Sequence, residues 1–130
     1  MYLLDTDMLI FTKRGKYGIQ KRINDAGVSN CVISEISLAE LYVGVFKNTN
    51  LRTIEIVKVL EDTFTVVPIT SALKEFGKIK AYLELNGQVL DKMDIFIAAT
   101  ALVNNYTLVS HNITHFSRIP GLKLEDWTEE

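Results

Sequence analysis

The sequence predicts an α/β fold built on a mainly parallel sheet. Three observations carry this. Short, wholly apolar runs of strand length alternate with longer segments of helical spacing. The apolar runs lack in–out alternation, as strands buried on both faces do. Acids and hydroxyl residues stand just after several of them, where parallel strands present groups that bind ligands.

Residues 1–4 are an apolar run ending at Asp5 and read as a buried strand. Residues 16–25 read as a polar helix stopped near Gly27. Residues 31–33 are a second short strand, after which Ser34 offers an N-cap for a helix over 35–46. That helix is apolar on most sides (Ile36, Leu38, Leu41, Val43, Val45), so it is expected to be buried or at an interface. Residues 51–62 have helical spacing again. Residues 64–69 are rich in β-formers, and Pro68 points to a sheet edge. Thr70 can cap a helix carrying Leu73, Phe76, Ile79 and Leu83, with Gly87 closing it. Asp91 or Lys92 opens a very apolar helix through 95–103. Residues 107–109 are a strand, and 122–127 a last one. Right-handed crossovers place helices on both faces of such a sheet.

The 130 residues, 48% of them hydrophobic, are expected to form one domain over 1–130 with a substantial core. The single cysteine, Cys31, has no internal disulfide partner, which fits a reducing compartment. No apolar run reaches the ~18 residues that span a bilayer, and no secretory signal is visible at the N-terminus. A cytoplasmic protein is therefore expected. The formal net charge is −2, so bulk positive charge does not hold nucleic acid here.

The chemistry has to come from the acids. Asp5 and Asp7 follow the first strand, Glu40 lies on the helix after the second, and Asp91 and Asp94 begin the helix through 95–103. Ser110 and Asn112 follow the strand at 107–109. Four segments thus bring polar groups to one end of the sheet. Several carboxylates in one pocket raise each other's pKa and call for a cation. Oxygen donors with few nitrogens select Mg2+ or Mn2+, and such ions serve phosphodiester hydrolysis. Plainer roles compete: Asp5 as a turn or cap residue, Asp7 capping a helix that starts at Met8, Glu40 on a solvent stripe. For Asp91 the N-cap role is the better reading. His111 and His115 read as surface or packing residues.

The ordered motifs resemble those of PIN-domain ribonucleases, in particular VapC-type toxins of type II toxin–antitoxin systems. The similar segments are Leu-Asp-Thr-Asp-Met-Leu-Ile (4–10), Ile-Ser-Glu-Ile-Ser-Leu-Ala-Glu-Leu (33–41), Asp-Ile-Phe-Ile-Ala-Ala-Thr-Ala (94–101), Leu-Val-Ser-His-Asn (108–112), His-Phe (115–116), Ile-Pro-Gly-Leu (119–122) and Glu-Asp-Trp (125–127). Together they run nearly the full length. The resemblance implies a three-layer α/β/α sandwich. It implies Asp5, Glu40 and Asp94 as catalytic, metal-binding acids, and Thr6 and Ser110 as supporting hydroxyls. Many relatives carry an acid where this chain has His115. Asn112 is expected to contribute through a water, with Asp7 or Asp91 compensating. The family's reaction is metal-dependent cleavage of RNA leaving a 5′-phosphate and a 3′-hydroxyl, with structured tRNA among its targets. A small cognate antitoxin and a homodimer are the implied partners, with no membrane association. Lys13, Arg14, Lys92 and Arg118 are candidate phosphate-binding groups.

Three other readings compete. An aspartate-nucleophile phosphatase shares the apolar strand followed by Asp-x-Asp, but Leu9 stands where that class prefers threonine or valine. A receiver-like domain needs a phosphoacceptor aspartate after its third strand, and Val66-Val67-Pro68-Ile69-Thr70 ends without one. A catalytically degenerate PIN domain that binds RNA without cutting it is kept open by His115.

Overall fold

The computed structural model describes residues 1–48 and 50–129. The elements run β1 (Tyr2–Leu4), α1 (Thr6–Lys13), α2 (Ile19–Ala26), β2 (Cys31–Ser34), α3 (Glu35–Lys47), α4 (Leu51–Thr63), β3 (Thr65–Val67), α5 (Leu73–Leu85), α6 (Lys92–Asn104), β4 (Thr107–Val109), α7 (Ile113–Phe116) and β5 (Lys123–Glu125). The sheet order is β3-β2-β1-β4-β5, and every pairing is parallel. The mainly parallel sheet expected from the sequence is therefore wholly parallel.

β1 lies at the centre, which explains its unbroken apolar sequence. Leu3 packs on one face with Val32, Leu108 and the buried sides of α5 and α6. Leu4 packs on the other with Ile33, Val109 and residues of α1 to α4. Helices on both faces give three layers, α/β/α. Burying a side chain such as Leu3 or Leu4 contributes about 1.5–3 kcal/mol, so the short strands are held by their faces as much as by their ladders. On α6, Ala98, Ala99, Thr100 and Ala101 are all fully buried. Their small side chains let this helix pack closely between α5 and the sheet.

Several boundaries differ from the sequence reading, each for a local reason. α1 begins at Thr6, not Met8, and its N-cap is Asp5, whose carboxylate accepts from the Thr6 amide; Asp7 sits in the first turn. α2 begins only at Ile19 because Tyr17 and Gly18 take left-handed backbone (φ 59° and 65°). Thr70 caps no α-helix: residues 70–72 form a 3-10 turn, and α5 starts at Leu73. β3 is an edge strand as Pro68 indicated, but it ends at Val67. The last strand is confined to Lys123–Glu125. The short α7 was not foreseen. Ser34 and Asp91 cap α3 and α6 through the Ile36 and Met93 amides. α3 is buried on one side through Ile36, Leu41 and Val45, while Val43 and Phe46 remain exposed. Among the described residues no helix is long and apolar enough to cross a membrane.

Candidate functional site

The carboxyl ends of β1, β2 and β4, with the start of α6, frame one cleft of about 270 Å³. Asp5, Thr6, Asp7, Ile10, Glu40, Asp94 and Asn112 line it. Each arrives by a simple route. The Asp5 amide donates to the Val109 carbonyl (2.9 Å), carrying the β1–β4 ladder one residue further before α1 begins. Ser34 stops β2 and starts α3, which places Glu40 in its second turn. Asp91 starts α6 and so sets Asp94 in its first turn.

Asp5 is buried, with 3% of its surface exposed. Its Oδ1 accepts from the Thr6 amide (2.8 Å) and its Oδ2 from the Ser110 hydroxyl (2.8 Å). Ser110 Oγ in turn accepts from the Asn112 amide (2.9 Å). Thr6 Oγ1 donates to Glu40 Oε1 (2.8 Å) and lies 2.9 Å from Ser37 Oγ. Ser37 is fully buried and was not singled out from the sequence. The signal was there, since it precedes Glu40 by three residues and so shares its helix face.

Charge is the uncompensated quantity in this cleft. Burial pushes the Asp5 carboxyl up to about 7; the Ser110 and Thr6 hydrogen bonds oppose the rise, and the charges of Asp94 and Asp7 add to it. Burial, then the charges of Asp91, Glu40 and Asp7, pushes Asp94 up to about 6, with His115 pulling the other way. Among the described residues, no lysine or arginine lines the cleft. All-oxygen donors around unneutralised carboxylates fit a hard divalent cation. Among the described residues, however, no three acids, histidines or cysteines converge closely enough to grip an ion as they stand. Glu40 is held by Thr6, and Asp5 by Ser110 and the Thr6 amide. The donor chemistry fits a cation, while Asp5 and Glu40 rest on protein partners.

The remaining predicted residues divide. Asp91 is an exposed N-cap outside the cleft lining, acting on Asp94 through the helix start it sets and through its charge. Lys13 and Arg14 line a neighbouring cleft between α1, α3 and α4 that shares Thr6, Ile10 and Glu40 with the acidic one. Lys92 and Arg118 line neither; Arg118 Nη1 donates to the Val89 carbonyl (3.0 Å). His111 Nδ1 lies 3.0 Å from Thr128 Oγ1 and 3.4 Å from Asp126 Oδ2, tying the chain end to the loop after β4.

The sequence profile of the PIN domain matches residues 2–122. Ribonuclease VapC2 of Haemophilus influenzae is 35% identical over 129 residues, covering 97% of each chain. The chain belongs to the VapC family of PIN-domain ribonucleases. Another VapC relative, the tRNA(fMet)-specific endonuclease of Salmonella typhimurium, is 33% identical with 97% of each chain covered. The same fold recurs in the solved structure of DNA-bound VapBC from Salmonella typhimurium, with a TM-score of 0.90, 32% identity and 97% of each chain covered. Family membership sets the phosphatase and receiver readings aside. Asp5 fits the same conclusion: with both carboxylate oxygens engaged by protein donors, it is poorly presented as a nucleophile.

Proposed function

We propose that the VapC-family chain is a toxin endoribonuclease that hydrolyses RNA in a Mg2+- or Mn2+-dependent reaction at the cleft of Asp5, Glu40 and Asp94. The observation that carries this is the arrival of three acids from three separate elements in one cleft that, among the described residues, offers them no basic side chain. When bound, the cation supplies Lewis acidity that activates water and steadies charge on the phosphodiester. Asp5, Glu40 and Asp94 would hold it, and Asn112 would orient a water from the cleft wall. The Ser110 hydroxyl fixes the Asp5 carboxylate, and Thr6 fixes Glu40, so both acids are kept in place by groups that do not titrate near neutrality. Asp7, half-buried in the same lining, adds negative charge.

The substrate we infer is RNA, with tRNA a leading target given the specificity carried in the Salmonella relative's name. The partner we infer is a small cognate antitoxin, since solved relatives are toxin–antitoxin complexes. A homodimer completes the proposal, and light scattering on the purified chain checks it.

The deciding experiment incubates antitoxin-free protein with total RNA in Mg2+ or Mn2+, with chelator, and as Asp94→Asn. Discrete cuts lost with chelator and in the variant are expected. Activity far higher with Ni2+ or Zn2+ would overturn the oxygen-donor account. Absence of cutting by folded protein across metals and RNAs would favour a chain that binds RNA without cleaving it, with His115 the first position to restore to an acid.

A further inference from the structure

We infer that the cleft between α1, α3 and α4 holds one unstacked base of the RNA beside the scissile phosphate, and so sets the cleavage preference. This rests on the nuclease reading above. The cleft, of about 230 Å³, is not a separate surface feature: Thr6, Ile10 and Glu40 line both it and the acidic cleft. A nucleotide whose phosphate lies among the acids therefore has its neighbour's base within reach of this second cavity.

The lining suits a base. Leu41, Val57 and Leu60 form an apolar back wall, buried to 9% exposure or less. Apolar walls take the faces of extruded bases, while polar groups read their edges. Asn48 and Thr53 supply amide and hydroxyl groups at the same cavity. Lys13 and Arg14 also line it, are exposed, and make no ion pair among the described residues. Two cations beside an apolar cavity that opens toward an acidic centre match a nucleotide's own division into anionic phosphate and flat base.

Gly44 gives a second, independent indication. It lies inside α3, where glycine is the least favourable residue apart from proline. Neither usual reason for a glycine applies. Its φ is not positive, and a Cβ built there meets nothing within 4 Å. Yet Gly44 lines the cleft. What its missing side chain leaves is the cavity itself.

The test combines Gly44→Leu, which fills the cavity with a better helix former, and Gly44→Ala as a control that leaves most of it open. On an RNA that the wild-type chain cuts, each base near the cut is replaced in turn by an abasic residue. One abasic position is expected to lower wild-type kcat/KM by about tenfold, the scale of one lost base-stacking contact. Gly44→Leu is expected to show that loss already on intact RNA and to be indifferent to the abasic substitution, with Tm unchanged or raised. Equal abasic losses in wild type and Gly44→Leu, or undiminished cleavage by Gly44→Leu, would overturn the inference. If Gly44→Leu alters only inhibition by the antitoxin, the cavity takes a protein side chain instead, and the inference is wrong. Binding of the same oligonucleotides to Asp94→Asn protein, with and without Gly44→Leu, reads the cavity without any cutting, so failure of the nuclease reading and failure of the base pocket give different results.

Discussion

Replacing Asp5 with asparagine should stabilise the metal-free protein at alkaline pH. An aspartate in the unfolded chain loses its proton near 3.8, whereas burial keeps Asp5 protonated in the folded chain to about 7. Between those values the folded state binds more protons. The stability this confers is fully present below 3.8 and is lost as pH rises through 7. At about 1.4 kcal/mol per pH unit, the interval amounts to roughly 4 kcal/mol, a Tm change on the order of 10 °C for a chain of this size. Asparagine removes the titration but retains the contacts: its Oδ1 accepts from the Thr6 amide and its Nδ2 donates to Ser110 Oγ. The assay is urea unfolding in chelator at pH 4.5 and pH 8 for both proteins. The wild type should lose several kcal/mol more than Asp5→Asn between the two conditions. Asp94, pushed up to about 6 for related reasons, titrates in both proteins and largely cancels in the comparison. Adding Mg2+ or Mn2+ at pH 8 should restore the wild type and do much less for the variant. Parallel pH dependences in chelator would show that Asp5 is ionised at little expense and that the argument for a missing counter-charge is wrong.

Three further outcomes follow from particular contacts. Ser110→Ala strips a donor from Asp5 Oδ2 and an acceptor from the Asn112 amide, so unfolding in urea should show a loss of about 1–3 kcal/mol. Ser34→Ala removes the cap of α3 from a fully buried position; about 1 kcal/mol should be lost by the same assay. Ile97→Ala empties a fully buried site on α6 and should lower stability by about 2–5 kcal/mol.

Much of this architecture was legible in the sequence because it depends on local signals. β1, β2 and β4 were plain since strands buried on both faces must be continuously apolar, and Ser34 and Asp91 were plain because caps act within two residues. The three acids were legible through their position after strands and through the ordered motifs. The misreadings have physical reasons. The start of α1 stayed open between Asp5 and Asp7 as caps because Asp5 serves two purposes, capping the helix and lining the cleft. The start of α2 was hidden by a left-handed Tyr17, a conformation no propensity scale anticipates. The second cleft could not be read at all, because it depends on how α1, α3 and α4 meet; Gly44 had no distinguishing mark until the space above it was visible.

The strand order also dictates when the acidic cleft can exist. Its central strand, β1, is made well before one of its two neighbours, β4, which lies more than a hundred residues downstream, and the Ser110 hydroxyl that steadies Asp5 follows immediately after β4. Pairings so distant in sequence form late. A nascent chain lacking β4 has Asp5 without its Ser110 partner and the centre of its sheet open on one side. Synthesis through β4 is thus a precondition for an organised acidic cleft, an order of assembly written into the strand topology.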